Sequence, residues 1–305
     1  MSSTLARLER NVHLVRPGWR GVVTDYYELT KPRIAYLLLL TTFAAMLMAA
    51  RGMPPLALTL VTLFGGALAA GSAGAFNCVL DRDIDRLMVR TMTRPVAAGR
   101  ISARAGLCFA TLLGIVSFVV LYRFVVPLAA WLSLAGNAYY VLVYTLWLKR
   151  TTTLNIVIGG AAGAIPPLVG WAAVAHTVGA PALGLFALIF LWTPPHFWAL
   201  ALMAKTDYHK ANVPMLPNIR GPEHTKREIF VYSLALVAAS LALTPLGILG
   251  FWYFVPATIL GGIFIWDAWK MLYGPTMPLA RALFKYSLLY LALMCVAMVV
   301  DRIIR

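Results

Sequence analysis

Charged residues are scarce in this chain: Asp, Glu, Lys and Arg make up 12% of its 305 residues. A soluble domain of that size carries about 25%, so a water-exposed globule is excluded. Hydrophobic residues reach 61% and the mean hydropathy is +0.80, which marks an integral membrane protein. Cysteine is scarce too. Cys78, Cys108 and Cys295 are scattered through apolar runs with no CxxC pair. That argues against a disulfide framework or a thiolate metal site and leaves small buried packing residues. The first 30 residues hold no apolar run of signal-peptide type, so no cleavable secretory signal is expected.

What the chain does have is a series of apolar runs of spanning length, about 20 residues each. Nine are expected, over 34–50, 56–80, 105–122, 124–147, 154–175, 180–204, 228–249, 250–269 and 283–301. They leave no room for a sizeable soluble domain. The organisation predicted is an N-terminal tail over 1–32 and a single transmembrane domain over 33–305. Small residues such as Gly65-Gly66, Gly71 to Gly74 and Gly159-Gly160 would let helix backbones approach closely in lipid. Pro166-Pro167 and Pro194-Pro195 each interrupt an apolar run and are expected to kink it, shaping a central pocket.

The net charge is +15, yet its distribution argues against nucleic acid. With the N-terminus inside, 22 Lys and Arg fall on inside segments, and only Arg51, Arg123, Arg302 and Arg305 fall outside. Basicity therefore sets orientation, and no aromatic-interleaved basic domain exists to grip a nucleic acid. The placement expected is a bacterial cell inner (plasma) membrane, multi-pass, with a cytoplasmic N-terminus. The lipid bilayer is then the first partner.

Of 11 acidic residues, three crowd into Asp81-Arg82-Asp83-Ile84-Asp85, where a long apolar run gives way to polar chain. At about 100° per residue, Asn77, Asp81 and Asp85 stack along one helix face, while Asp83 points to the other side as an ion-pair partner or a solvated group. Oxygen ligands clustered this way suit Mg²⁺, which also takes phosphate oxygens. Acids at membrane depth are functional candidates by default.

Other candidates lie on loops predicted for the same face. Arg90 and Arg94 can fork onto phosphate or carboxylate. Lys149 and Arg150 close the fourth span, where they either mark the inside boundary or neutralise a departing pyrophosphate. Tyr144 sits either beside a reacting cation or in an interfacial belt. Asp207, flanked by Lys205 and Tyr208, is a candidate ligand for a second metal. His196 lies in Trp192-Thr193-Pro194-Pro195-His196-Phe197-Trp198 and reads as a packed core histidine or a haem ligand.

Four segments carry a resemblance: NCVLDRDIDRLMVRTMTRPVAAGRIS at 77–102, YTLWLKR at 144–150, WTPPHFWALAL at 192–202 and KTDYHKANVPMLP at 205–217. In order and spacing they are similar to the intramembrane aromatic prenyltransferase (UbiA-like) superfamily. The last three resemble its haem-farnesylating branch. The resemblance implies an all-α fold of nine transmembrane helices around a central cavity that opens toward the cytoplasmic face. It implies transfer of a farnesyl group from farnesyl diphosphate to a vinyl group of haem B, giving haem O and pyrophosphate with Mg²⁺. Haem B is then a substrate, and a downstream haem-modifying enzyme such as haem A synthase is a handover partner.

Carried over by position, Asn77, Asp81, Asp85 and Asp207 would hold metal, and Asp81, Asp85, Tyr144 and Lys149 would be catalytic. Asn77, Arg90, Arg94, Arg150, His196, Lys205, Asp207 and Tyr208 would bind substrate. The chain departs from the superfamily at the second acidic motif, DxxxD: Asp207 is followed four residues later by Ala211. That puts a second metal in doubt. Asn212 also stands where a glycine is common in that loop. Two rival readings remain open, a sibling enzyme acting on an aromatic or quinone precursor and an ion or proton transporter. The 192–217 segment disfavours the first, and the crowding of acids at one face disfavours the second.

Overall fold

The computed structural model describes residues 18–305; the part of the expected tail over 1–17 lies outside the described residues. Every regular element among the described residues is helical. In lipid this follows from backbone hydrogen bonding, which an open strand could not satisfy. The first half of the chain gives α1 (Trp19–Leu29), α2 (Pro32–Ala50), α3 (Leu56–Leu80), α4 (Arg82–Leu87), α5 (Ala103–Phe124), α6 (Pro127–Ala138), α7 (Asn155–Ala164) and α8 (Pro166–Ala175). Then come α9 (Ala180–Met203), α10 (Lys205–Lys210), α11 (Leu216–Ile219), α12 (Pro222–Ala242), α13 (Phe251–Tyr273) and α14 (Thr276–Ile304).

Proline opens α2, α6, α8 and α12, where its missing N–H costs nothing. Ser102 caps α5 by accepting from the Ala105 amide at 3.2 Å.

Among the described residues, seven segments are long and apolar enough to cross a membrane: α2, α3, α5, α7 with α8, α9, α13 and α14. The chain is a multi-pass membrane protein. Length and apolarity alone thus return seven spans, not the expected nine. The expected span over 124–147 is helical but changes geometry part-way. After α6 it widens into a π-helix over Tyr139–Leu148 and ends in the turn Lys149–Thr151. The expected span over 228–249 is α12, which starts and stops earlier than predicted. Its first turns carry Glu223, Lys226, Arg227 and Glu228, which lower its hydropathy.

The helix at the centre is α9, with 67% of its apolar window buried against 22% for α5. It packs on α7, α12 and α14, while α3 pairs with α5 and α2 with α8. The α2–α8 crossing depends on a missing side chain. A Cβ on Gly170 would stand 2.1 Å from the Thr42 carbonyl oxygen.

Two expectations are corrected. Pro194 and Pro195 do not interrupt their helix, since α9 runs through both. Pro166 does mark a break, between α7 and α8. Cys78 and Cys295 are buried as predicted, but Cys108 is exposed, on the outward side of α5.

Candidate active site

Asn77, Asp81 and Asp85 are all buried, at 3%, 0% and 1% exposure. The assigned helix stops at Asp81, whose ψ is 9°, and α4 starts at the next residue. The hydrogen-bond ladder nevertheless continues across this joint, from the Asp81 amide to Asn77 at 2.9 Å and from the Asp85 amide to Asp81 at 2.8 Å. The three side chains therefore keep one face. Asp83, on the other side, is largely exposed.

Cations from three parts of the chain meet this face. Lys149 donates to Asp81 Oδ2 at 2.5 Å, and Asn77 Nδ2 donates to the same oxygen at 2.7 Å. Arg94 donates to both oxygens of Asp85, at 2.9 and 2.8 Å. Arg150 forks onto Asp83 at 2.7 and 2.8 Å and stands 3.6 Å from Asp81 Oδ1. Lys31, at the turn between α1 and α2, donates to Asn77 Oδ1. Thr145, on the π-helix, accepts from Asn77 Nδ2 at 3.0 Å. Lys31 and Thr145 escaped the sequence analysis because their contacts cross 46 and 68 residues. The one available signal was a lysine directly before the proline that opens an apolar run.

The electrostatics follow from these pairs. The Arg150 fork holds the Asp83 carboxyl down at about 2, and Asp83 in turn raises Arg150 above its ordinary value. Burial pushes the Lys31 ammonium below the usual lysine range, while Asp81 and Asp85 pull the other way. Burial also works against the Arg94 charge, yet Asp85 lifts that guanidinium above its ordinary value.

The remaining candidates surround this core. Asp207 accepts from the amides of Val89 and Arg90 at 3.4 and 3.3 Å. Arg90 donates to the Tyr208 hydroxyl at 3.2 Å and lies over its ring at 5.8 Å. Asp207 thus ties the α10 loop to the loop after α4 and touches neither Asp81 nor Asp85. Lys205 is exposed, its carbonyl accepting from Asn218 at 3.2 Å. Asn212 has φ of 51°, a conformation that asparagine tolerates better than most residues, so it can replace the glycine expected there.

Tyr144 stacks on Tyr140 with centroids 5.3 Å apart and fits against Gly159, where a Cβ would stand 2.3 Å from its ring. His196 lies between Trp192 and Phe284, at 4.2 and 4.6 Å. Its Nδ1 meets Ser287 Oγ at 2.7 Å, and that hydroxyl donates to the Phe284 carbonyl at 2.7 Å. A hydroxyl has one proton, so Nδ1 must be the donor and Nε2 carries the lone pair.

The donor set fits a hard divalent cation. Asp81 Oδ1 is buried with no hydrogen-bond partner, an uncommon condition for a carboxylate oxygen. Beside it are one further carboxylate and one amide oxygen, ligands of the type Mg²⁺ takes. No group of three or more His, Cys, Asp or Glu side chains gathers among the described residues. Protein alone would therefore supply few ligands, leaving positions for phosphate oxygens.

Residues 38–294 match the model of the UbiA prenyltransferase family. The chain belongs to that family. Among its relatives, a protein from Gloeobacter violaceus named protoheme IX farnesyltransferase is 54% identical over 300 residues, covering 98% of this chain and 97% of that one. One of the same name from Synechocystis is 53% identical over 292 residues, covering 95% and 92%. Solved structures share the UbiA fold. Digeranylgeranylglyceryl phosphate synthase superposes with a TM-score of 0.76 at 19% identity, covering 93% of this chain and 99% of that one. A UbiA homolog from Archaeoglobus fulgidus bound to DMAPP and Mg²⁺ gives 0.65 at 17% identity, covering 90% and 99%.

Proposed function

We propose that this UbiA prenyltransferase transfers the farnesyl group of farnesyl diphosphate to a vinyl group of haem B, giving haem O and pyrophosphate. Relatives more than half identical over nearly the whole chain carry that name. The observation that carries the chemistry is the buried Asp81, with one oxygen paired to Lys149 and the other free of hydrogen bonds, 3.6 Å from Arg150. Asn77, Asp81 and Asp85 would hold Mg²⁺, which neutralises diphosphate charge when bound. Asp207, already committed to two backbone amides, positions the loop that carries Arg90.

Lys149, Arg150 and Arg94, which pair with Asp81 and Asp85, would take the oxyanion charge that develops as the allylic C–O bond breaks and pyrophosphate leaves, joined by Arg90 from the neighbouring loop. Pyrophosphate takes the bonding electron pair, and the vinyl π electrons form the new bond to the farnesyl carbon. Water then adds to the cation left beside the ring and loses its proton, producing the hydroxyethyl group. The Tyr140–Tyr144 stack offers aromatic faces to a carbocation. Helices packed in lipid keep early water out. His196, held as the Nδ1–H tautomer by Ser287, presents an Nε2 lone pair suited to haem iron. The excess of Lys and Arg on one side supports a cytoplasmic site and N-terminus in the cell inner membrane.

Incubating the purified protein with haem B, farnesyl diphosphate and Mg²⁺ tests this reading. Mass spectrometry should detect haem O with the natural chain and none with Asp81→Ala or Asp85→Ala. Near-normal haem O from either variant would overturn it.

A further inference from the structure

Lys31 belongs to no motif that the chemistry above uses, yet it reaches the centre of the site. Its backbone is left-handed, with φ of 51° and ψ of 56°. That is a rare state for a residue with a side chain, and one that a following proline disfavours further. Strain of this kind persists only where the surroundings enforce it. Here they do. Gly74 lies one turn before Asn77, and a Cβ there would stand 3.0 Å from the Thr30 carbonyl oxygen and 3.1 Å from that of Leu29. The bare α3 backbone thus lets the end of α1 press close, and Lys31 turns inward to donate to Asn77 Oδ1.

Apart from Asp81 Oδ1, the oxygens that face a divalent cation are therefore already engaged by the chain's own cations. Asn77 Oδ1 holds Lys31, Asp81 Oδ2 holds Lys149, and both oxygens of Asp85 hold Arg94. Three positive side chains answer two carboxylates. Adding a metal ion alone would press two more positive charges into a buried, cation-rich site. Adding it with a polyanionic diphosphate restores balance and gives the displaced ammonium groups phosphate oxygens to bind.

Resting on the prenyltransferase reading, we propose that Lys31 is a further residue of the diphosphate site, which exchanges Asn77 for diphosphate and makes metal and diphosphate binding mutually dependent. Such coupling is reciprocal: each ligand strengthens the other by the same factor.

Mn²⁺ binding to detergent-purified protein, followed by electron paramagnetic resonance with and without inorganic pyrophosphate, tests the proposal. The natural chain should bind Mn²⁺ weakly alone and at least about tenfold more tightly with pyrophosphate, beyond the affinity of the two in solution. Lys31→Met should bind Mn²⁺ alone about tenfold more tightly than the natural chain, because one repelling charge is gone. It should also lose most of the pyrophosphate enhancement. Lys31→Arg should behave as the natural chain does. Gly74→Ala, which pushes the α1–α2 turn outward, should shift Mn²⁺ affinity as Lys31→Met does.

Damage to the fold would weaken Mn²⁺ binding, so a gain separates the proposal from a structural role. Unchanged or weaker Mn²⁺ affinity in Lys31→Met overturns the inference alone. Mn²⁺ binding that is absent with pyrophosphate, or indifferent to Asp81→Asn, overturns the metal-site reading as well.

Discussion

Asp81→Asn separates structural from chemical work at the site, because Asp81 does both. Its side chain is 0% exposed and that of its partner Lys149 is 13% exposed. The substitution leaves the Lys149 ammonium facing a neutral amide in a buried position. Removing one member of a buried pair costs about 3–5 kcal/mol, most of it from the uncompensated charge that remains. With each kcal/mol worth about 2 °C in a chain of this length, the unfolding midpoint in detergent should fall by about 6–10 °C. Farnesyl transfer should fall by at least about 10²-fold, the scale for losing one group that stabilises charge in the transition state.

A second variant then divides the two effects. Asp81→Asn with Lys149→Met removes both charges, and replacing a buried pair by neutral groups is often close to thermodynamically neutral. The double variant should therefore recover most of the lost midpoint while activity stays down. Haem O formation by mass spectrometry and a size-exclusion thermal assay read the two quantities independently. A double variant that turns over near the natural rate would refute a chemical role for Asp81. A single variant as stable as the natural chain would refute the buried-pair argument.

Asp83→Asn, two residues away, should leave turnover within about threefold and cost at most about 1 kcal/mol, because its pair with Arg150 is solvent-screened. Since the folded Asp83 carboxyl titrates at about 2, its contribution is present above about pH 4 and is lost as pH falls toward 2; an acid unfolding titration of Asp83→Asn beside the natural chain should show the difference vanish there. Ser287→Ala removes the acceptor that fixes the His196 tautomer, so haem B affinity by Soret titration should weaken about tenfold while farnesyl diphosphate affinity holds. Gly170→Ala forces a Cβ against the Thr42 carbonyl and should lower stability by about 1–3 kcal/mol or more, read as a lower unfolding midpoint.

Much of this was legible in the sequence because lipid imposes simple rules. Runs of about 20 apolar residues become helices whatever their neighbours do. The stacking of Asn77, Asp81 and Asp85 needed only the period of the helix, and the same arithmetic put Asp83 on the other side, where Arg150 meets it. What the period could not carry was partner choice. Asp207 is captured by backbone amides of a loop more than a hundred residues earlier, a contact with no local signature. Pro194-Pro195 reads as a break, yet the packing of α9 at the bundle centre keeps the helix continuous. The charged start of α12 hid its first turns from a hydropathy reading. Lys31 was invisible because its reach depends on a left-handed backbone and on Gly74, which looked like generic small-residue packing.

The wide turns over Tyr139–Leu148 hold a further consequence. A π-helix accommodates more residues per turn than an α-helix, so this rod carries slack that a tighter coil would reject. Deleting a single residue there would let wide turns relax toward α-helix, changing the rise and rotation that carry the chain to Lys149. The bundle could absorb that change, while the 2.5 Å pair of Lys149 with Asp81 could not. A designer who idealised this rod for stability would keep the scaffold and lose its aim.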